Sequence, residues 1–330
     1  MKFVDPEDVA STMAKAPNMP EGITASDLKG TVFPPIAWVM HNLIAGGLTM
    51  LAGKPKIGKS WLVLDIAVAV ASGGYALDRK CAQGDVLYAA LEDNQRRLKA
   101  RMDQMCSLRE WPPRLTFWTK MERLEQGGLE QLRGWVASVG KPRLIIIDVF
   151  SKVRRVRRGQ EGIYDADYLS AVPLKALADE TGVTIVVVHH LRKAKDSADP
   201  LDGVSGSTGL TGACDTILVL DRSAEGGVTL FATGRDVERI EVALKFDGRG
   251  CRWSDLGDAR EVRMSDERRA IIEALRSEAE PIGPNDIATI TGQKRGNVRR
   301  LLGQMVLADE IQKRGRGKYT LIDSRTSVTS

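Results

Sequence analysis

The sequence has few of the residues that build disulfide frameworks or metal centres. Its four cysteines, Cys81, Cys106, Cys214 and Cys251, lie far apart and form no C-x-x-C pair. Its three histidines include no H-E-x-x-H or similar metal-binding spacing. These patterns argue against a zinc site and against a disulfide-stapled secreted domain, and they fit a reducing compartment.

Long apolar stretches are also lacking. No segment has eighteen uninterrupted apolar residues, so we expect no membrane span. The N-terminus carries Asp5, Glu7 and Asp8 where a secretory signal would need an apolar stretch, so no signal peptide is predicted. Together with the cysteine pattern, these observations predict a soluble, cytoplasmic protein.

Length and charge set the remaining bounds. A chain of 330 residues can bury a sizeable core and is expected to form two domains. Its hydrophobic content of 43% and charged content of 28% are ordinary for a globular protein. The net charge of +5 is mild, so clusters of basic residues, rather than the total charge, indicate whether nucleic acid is a partner.

One motif organises the other predictions. Residues 53–60, GKPKIGKS, match G-x-x-x-x-G-K-[ST] at each fixed position, between an apolar run and a stretch that suits a buried helix. The glycines allow successive backbone N–H groups to face phosphates, and the helix N-terminus adds its positive end. Lys59 is expected to reach the β- and γ-phosphates, and the Ser60 hydroxyl to hold Mg²⁺. The predicted ligands of a nucleoside triphosphate are Gly53, Lys54, Pro55, Lys56, Ile57, Gly58, Lys59, Ser60 and Trp61.

Apolar runs alternate with helical patterns after this motif. Strands are predicted at 85–91, 115–118, 143–148, 184–188 and 216–220, and helices at 94–109, 128–138 and 165–181. This alternation predicts an α/β fold, with a mostly parallel sheet covered by helices on both faces. The alternating runs 228–233 and 240–246 predict an antiparallel extension of that sheet.

Two acids follow predicted core strands and suit phosphate chemistry. Asp148 ends the strand 143–148 and is expected to hold Mg²⁺ from the carboxyl end of the sheet. Glu92 follows the strand 85–91 and is predicted to take a proton from the attacking water. The alternative for this segment is a surface acid that opens the next helix, with Asp93 as its N-cap.

His190 and Arg235 are the remaining candidates for catalysis. The pair His189–His190 follows the strand 184–188, and His190 is favoured as the side chain that senses the γ-phosphate. Metal ligation and a structural role are the alternatives, although no third metal ligand is suitably spaced. An arginine at position 235 can neutralise charge on the γ-phosphate of a neighbouring subunit. From the residue alone, a solvated surface arginine is the simpler interpretation.

Two basic segments at the expected nucleotide edge of the sheet could contact nucleic acid. The segments 151–158 and 191–208 follow the strands of Asp148 and His190, and neither contains an aromatic residue. Basic loops there can follow a phosphate backbone without base recognition, while a solvated charge run is the alternative. The candidate residues are Arg154, Arg155, Arg157, Arg158, Arg192, Lys193 and Lys195.

A second unit is predicted near the C-terminus. Helical patterns at 266–277, 283–291 and 294–307 precede a hairpin that turns at Gly315 and Gly317. This is the layout of a winged helix-turn-helix whose third helix enters the major groove. Residues 292–320 contain eight basic and two acidic residues, and this concentration favours contact with double-stranded DNA. The candidate contacts are Lys294, Arg295, Arg299, Arg300, Arg314 and Arg316.

Six segments resemble a known family in their order along the chain. They are GKPKIGKS, VLYAALEDN, LIIIDVF, VVVVHHLRK, DGVSGSTGLTGACDTILVL and ATGRD. They resemble the RecA-like P-loop ATPases of the plasmid RepA and DnaB helicase group, and more closely the AAA_25-type proteins of phages and mobile elements, over residues 30–256.

The resemblance implies a hexameric ring with ATP between subunits and single-stranded DNA in the central channel. It implies that Lys59 and Ser60 bind phosphate and Mg²⁺, Glu92 is the base, Asp148 is the second Mg²⁺ ligand, His190 is the sensor and Arg235 is the arginine finger. Some RepA-type relatives have an arginine in the stretch that is held here by residues 212–215.

We therefore expect an ATPase that uses ATP and Mg²⁺ and couples hydrolysis to movement on DNA, most concretely a replicative helicase of a phage, plasmid or mobile element. The alternatives are a DNA-dependent ATPase without unwinding, such as a recombinase-like protein or loader, and an ATP-switched DNA-binding origin or regulatory protein. The expected domains are a loosely ordered segment 1–30, an ATPase domain 31–257, a linker 258–265, a winged-helix domain 266–323 and a tail 324–330.

Overall fold

A computed structural model describes residues 22–156, 162–191, 209–222 and 227–322. The chain forms two compact units, Met1–Ile36 and Ala37–Ser330. In the first unit, helix α1 spans Ala25–Gly30 and has no buried residue. This short helix lies within the segment 1–30 that was predicted to be loosely ordered, and the Thr24 side chain caps it by accepting a hydrogen bond from the N–H of Asp27.

The second unit contains the remaining elements. Its strands are β1 Trp38–Met40, β2 Ile44–Ala45, β3 Leu48–Gly53, β4 Tyr75–Ala76, β5 Arg79–Lys80, β6 Asp85–Ala90, β7 Leu115–Trp118, β8 Pro142–Asp148, β9 Thr184–His190, β10 Thr216–Arg222, β11 Val228–Gly234, β12 Ile240–Asp247, β13 Arg252–Asp258, β14 Ile311–Lys313 and β15 Tyr319–Leu321. Its α-helices are α2 Lys59–Ser72, α3 Gln95–Met105, α4 Gly128–Ser138, α5 Ile163–Thr181, α6 Leu210–Ala213, α7 Ala259–Ser277, α8 Pro284–Thr291 and α9 Arg295–Leu307. Short 3₁₀ turns lie at Leu124–Gln126 and Phe150–Lys152.

The main sheet confirms the predicted α/β architecture. Within the described residues it has nine strands in the order β13-β12-β11-β10-β3-β9-β8-β6-β7. The strands from β10 to β7 are parallel, and β11, β12 and β13 extend the sheet with antiparallel pairing. Among the described helices, none combines the length and the apolar composition that a bilayer crossing requires.

Helices cover both faces of this sheet, and β8 shows why. Leu144 and Ile146 pack into the core on the face covered by α2 and α3, and Ile145 and Ile147 pack into the core beneath α4 and α5. Alternate residues of a strand point to opposite faces, so a strand that is buried on both sides must be continuously apolar. The unbroken run of aliphatic residues therefore places β8 in the middle of the molecule.

The linker predicted at residues 258–265 is wrong, because helix α7 begins at Ala259 directly after β13. The Asp258 carboxylate caps the helix by accepting hydrogen bonds from the N–H groups of Arg260 and Glu261, at 2.8 and 3.1 Å. Arg263 on the second turn lies 3.7 Å from Glu241 of β12. The polar composition of this stretch thus belongs to a capped, partly exposed helix.

The C-terminal residues form three helices and a hairpin, which are called the small domain below. Helices α7, α8 and α9 enclose a core that includes Ile271, Ile287 and Leu302. Strands β14 and β15 pair antiparallel, and the chain between them turns at Gly315 and Gly317, both with positive φ. Glycine adopts this backbone conformation without steric cost, which favours a tight hairpin here.

Candidate nucleotide site

The phosphate-binding loop connects β3 to α2. Gly53 ends β3, residues 54–58 form the turn and Lys59–Trp61 begin the helix. A Cβ atom on Gly53 would lie 2.5 Å from the carbonyl oxygen of Leu220, and Gly58 has a φ of +107°. Both fixed glycines of the motif are therefore required by the backbone path of the loop. Lys54 at the start of the turn lies 3.4 Å from Asp221.

Lys59 is buried inside this loop, with only 4% of its surface exposed. Its Nζ donates hydrogen bonds to the carbonyl oxygens of Gly53 and Lys54, at 2.7 and 2.9 Å. The same atom lies 3.1 Å from Nδ1 of His190. Burial lowers the pKa of Lys59 to about 8, although the nearby charges of Asp148 and Glu92 oppose this shift. The ammonium is thus held at the centre of the loop, where a phosphate would lie.

Asp148 lies beside the loop because β8 and β9 are parallel neighbours and their carboxyl ends reach the same edge of the sheet. Its carboxylate is buried and accepts a hydrogen bond of 2.8 Å from the Tyr88 hydroxyl. Burial raises the pKa of Asp148, while its hydrogen bonds with Ser60 and Tyr88 oppose the rise. A serine hydroxyl and a carboxylate are the hard oxygen donors that Mg²⁺ prefers, so this donor set fits the ion.

Glu92 lines the same pocket as Ser60 and Asp148. The pocket has a volume of about 170 Å³, and its lining also includes Asp93 and the arginines at 97 and 101. The side chain of Glu92 is half-exposed, and its Oε2 lies 3.8 Å from Nε2 of His190. A carboxylate in this place can reach a water molecule that faces a bound phosphate.

Asp93 has a different role from the N-cap that sequence reasoning allowed as an alternative. Its carboxylate accepts hydrogen bonds from Arg97 and Arg101, at 2.8 and 2.6 Å. The N-cap of α3 is Asn94, whose side chain accepts a hydrogen bond from the N–H of Arg97. Arg97 also donates to the carbonyl oxygen of Glu92 at 3.3 Å. The two arginines therefore fix the segment that carries Glu92.

The histidine pair ends β9, where His190 pairs with Gly53 of the loop strand. His190 contacts Lys59 through one ring nitrogen and approaches Glu92 through the other. Burial lowers the pKa of His189, and its side chain points to the other face because neighbouring residues of a strand alternate. No group of three metal-ligating side chains occurs in the described residues, so the metal alternative gains no third ligand there.

Arg235 lies at the amino-terminal ends of the parallel strands, the edge of the sheet opposite to the phosphate loop. It follows β11, whose last residue Gly234 pairs with Thr216, and Thr216 pairs with Thr49 near the start of β3. Its side chain is 66% exposed and lies 3.3 Å from the carboxylate of Asp215. This carboxylate also accepts a hydrogen bond from the N–H of Leu48. Within its own chain, Arg235 is therefore remote from the phosphate loop.

The predicted DNA-contacting residues have three different settings. Arg154 forms a 2.6 Å ion pair with the buried Asp167 of α5, and the N–H of Arg155 donates to Ser170 of the same helix. Arg157, Arg158, Arg192, Lys193 and Lys195 lie outside the described residues. The six candidates of the small domain, Lys294, Arg295, Arg299, Arg300, Arg314 and Arg316, are exposed on α9 and the hairpin.

Sequence reasoning missed Tyr88 and Trp253. The only local signal for Tyr88 was one hydroxyl within an otherwise apolar strand. Trp253 of β13 packs against the phosphate loop, and its Nε1 donates to the carbonyl oxygen of Gly58 at 3.3 Å. No local pattern could have indicated this contact, because the two residues are 195 positions apart.

Comparisons with known proteins identify the family and the fold of this chain. A family model described as AAA_25, an AAA domain, matches residues 14–196, more than half of the chain. No curated protein matches at a significant level.

Two solved structures share the fold. One is described as an ATPase domain and is 16% identical, with a TM-score of 0.52 over 64% of this chain and 84% of its own. The other is described as a DnaB-like replicative helicase and its interactions with primase, and it is also 16% identical, with a TM-score of 0.52 over 63% of this chain and 57% of that one. The present chain thus spans little more than half of the helicase. At this identity the likeness shows the fold, a RecA-like P-loop ATPase.

Proposed function

The chain belongs to the AAA_25 family, and from this membership we propose that it is a Mg²⁺-dependent ATPase that couples ATP hydrolysis to movement on DNA. The observation that carries the proposal is the convergence of Lys59, Asp148 and Glu92 at one edge of the sheet. Lys59 lies in the loop, and Glu92 and Asp148 line the adjoining pocket together with Ser60. In P-loop ATPases, catalysis consists mainly of positioning and charge stabilisation, which such a site supplies.

The mechanism follows from the places of these groups. The N–H groups of the loop and the Lys59 ammonium bind the phosphates, and Ser60 and Asp148 would hold Mg²⁺ there, where the ion would offset the phosphate charge. Glu92 accepts a proton from the attacking water as its oxygen bonds to the γ-phosphorus. The bond to the bridging oxygen breaks, and ADP leaves with the bonding electrons.

His190 is suited to report the γ-phosphate. In this structure it contacts Lys59 at 3.1 Å and approaches Glu92 at 3.8 Å. A bound phosphate would compete with the carbonyl groups and the imidazole for the Lys59 ammonium, and this would free His190 to face the phosphate. Because the segment after β9 begins one residue later, we infer that a change at His190 is transmitted to that segment.

The place of Arg235 supports a head-to-tail assembly. The phosphate loop and Arg235 lie at opposite edges of the same sheet, so a neighbouring copy in a head-to-tail arrangement can bring its arginine to this nucleotide. Repetition of such a contact gives a closed ring when the rotation closes. We propose a hexameric ring, with Arg235 as the finger and Asp215 holding it in the free subunit.

DNA contacts are proposed at two places. The segments after β8 and β9 leave the sheet at the nucleotide edge, where they would contact single-stranded DNA in a channel. The small domain presents exposed basic residues on α9 and on the β14–β15 turn, as expected for a winged helix on double-stranded DNA. This combination suits a replicative helicase of a phage, plasmid or mobile element.

The decisive experiment compares ATP hydrolysis with and without single-stranded DNA for the wild type and Glu92→Gln. We expect DNA to stimulate the wild type, and we expect the variant to bind ATP but not to hydrolyse it, since an amide cannot accept the proton. Glu110→Gln, an exposed acid outside the pocket, is the matched control and should keep full activity. Unwinding of a forked duplex would then separate a helicase from an ATPase that does not unwind.

The exposed basic surface of the small domain favours one second candidate, a DNA-binding regulator that uses ATP as a switch. That protein would bind duplex DNA tightly and hydrolyse ATP negligibly. A wild type that binds ATP without turnover, with or without DNA, would overturn the motor proposal in favour of this regulator.

A further inference from the structure

Trp253 of β13 contacts the phosphate loop at the glycine that precedes Lys59. The indole Nε1 donates to the carbonyl oxygen of Gly58 at 3.3 Å, and Trp253 itself is buried. A Cβ atom on Gly58 would lie only 2.6 Å from Cζ2 of the ring. The ring therefore rests directly on the backbone of the loop, and glycine at this position is needed for the contact as well as for the turn.

The elements around Trp253 hold it in place. Arg252 on the same strand lies 3.3 Å from the buried carboxylate of Asp65, which belongs to α2. Phe246 of β12 packs against the indole with a distance of 5.1 Å between ring centroids. Asp255, further along β13, forms an ion pair of 3.1 Å with Arg79. Strand β13 thus contacts the phosphate loop, helix α2 that follows the loop, and the β4–β5 hairpin.

We propose that Trp253 is a positioning residue for nucleotide binding. The peptide between Gly58 and Lys59 has its carbonyl oxygen on Trp253, so its N–H group, which belongs to Lys59, is held facing the opposite way. That N–H group is one of those that a phosphate-binding loop offers to its ligand. The carbonyl oxygen of Gly58 also accepts hydrogen bonds from the N–H groups of Trp61 and Leu62, both at 3.1 Å. Removing the indole N–H therefore takes away one of three contacts that orient this peptide, and it weakens phosphate binding without touching Glu92.

This inference rests on the proposed nucleotide site and goes beyond it. The family model ends at residue 196, whereas Trp253 lies on the antiparallel extension of the sheet. The geometry of the loop is therefore set in part by a segment outside the matched region.

The test measures the affinity of a fluorescent ADP analogue for the wild type, Trp253→Phe and Trp135→Phe. Trp253→Phe keeps an aromatic ring but loses the donor, and we expect affinity to fall by about threefold to tenfold, the worth of one hydrogen bond. Trp135 is the matched control, because it is a buried tryptophan of α4 in the opposite core and its Nε1 has no hydrogen-bond partner among the described residues. Trp135→Phe should bind the analogue as the wild type does.

Steady-state hydrolysis supplies a second readout that loss of packing alone would not reproduce. For Trp253→Phe we expect KM for ATP to rise by the same factor while kcat stays near the wild-type value, since the variant disturbs binding and not the base. The positioning role would be overturned if Trp253→Phe bound the analogue as tightly as the wild type does, or if Trp135→Phe weakened binding equally. Either result would leave the proposed function in place. A wild type that binds no nucleotide would overturn the proposed function itself.

Discussion

At the scale of single residues, the fold changes the pKa of Lys59, the lysine of the phosphate loop. Lysine is rarely buried unless its charge is compensated, and here two loop carbonyl oxygens and His190 surround the ammonium. Burial lowers the pKa of Lys59 to about 8, near the pH of ordinary assays. A bound triphosphate would favour the charged form, so binding and protonation of this residue are linked.

Nucleotide affinity should therefore fall as pH rises above about 8. Above that pH the free protein has lost the Lys59 proton, which the complex must take up again, so the affinity decreases by up to about tenfold per pH unit. Calorimetric titrations with ADP at pH 7, 8 and 9 would measure the slope. Lys59→Arg keeps its charge throughout and should bind more weakly but with a flat profile. The same slope in both proteins would contradict the assignment to Lys59.

Tyr88 is expected to tune Mg²⁺ binding at Asp148. Tyr88→Phe removes the hydroxyl that donates to Asp148 at 2.8 Å, so the carboxylate loses both an orienting partner and a contact that lowers its pKa. Because a hydrogen-bond partner orients a metal ligand, its loss should raise the Mg²⁺ concentration that gives half-maximal turnover by about tenfold. Tyr75→Phe, at an exposed tyrosine of β4, is the control. If both variants require the same Mg²⁺ as the wild type, the hydroxyl has no such role.

At the scale of elements, the sequence predicted those parts whose signal is local. The apolar run of β8 and the glycine motif before α2 are short patterns with one structural interpretation, and both lie where they were expected. Because parallel strands end at one edge, the same patterns also predicted that Asp148 and His190 flank the loop. These inferences required no knowledge of distant contacts.

The elements that sequence reasoning missed depend on distant contacts or on a single capping residue. Strand β13, RWSDLGD, is too polar for a clear strand pattern, and its pairing with β12 and the contact of Trp253 with Gly58 define it. The predicted linker failed because composition alone does not show that Asp258 caps a helix. Both errors fall where the ATPase sheet continues into the small domain.

The continuity of α7 can be tested at Ser265, an exposed residue within the helix. Ser265→Pro removes a helical hydrogen bond and introduces a steric clash, and it should cost about 3 kcal/mol of unfolding free energy. Ser265→Ala should be neutral or slightly stabilising, because alanine favours helices. Urea unfolding followed by circular dichroism measures both. Equal stability of the proline variant and the wild type would indicate a flexible linker after all.

At the scale of the whole molecule, the two ends of the parallel strands carry groups of opposite charge. The pocket with Glu92 and Asp148 lies at the edge formed by the carboxyl ends of the parallel strands. Arg235 lies at the other edge and is tethered by Asp215. A subunit with its acceptor site on one side and its donor on the other is suited to a head-to-tail contact, in which each active site combines residues from two copies.

This arrangement predicts that two inactive variants restore activity when they are mixed. Arg235→Ala keeps Glu92 but offers no finger, and Glu92→Gln offers a finger but has no base. In a random equal mixture about a quarter of the interfaces pair an intact site with an intact finger, so about a quarter of wild-type turnover should return. The measurement is ATP hydrolysis in the presence of DNA after the proteins are mixed at several ratios.

The control mixture combines Glu92→Gln with Lys59→Ala. Both changes damage the nucleotide-binding side of the interface, so no pairing of these subunits yields an intact site and the mixture should remain inactive. If the Arg235→Ala and Glu92→Gln mixture is also inactive although the variants co-assemble, Arg235 does not act on the neighbouring nucleotide. Activity that returns in the first mixture alone would have the opposite meaning. Because neither variant contains both Glu92 and Arg235, the arginine of one copy would then have to complete the nucleotide site of the next copy.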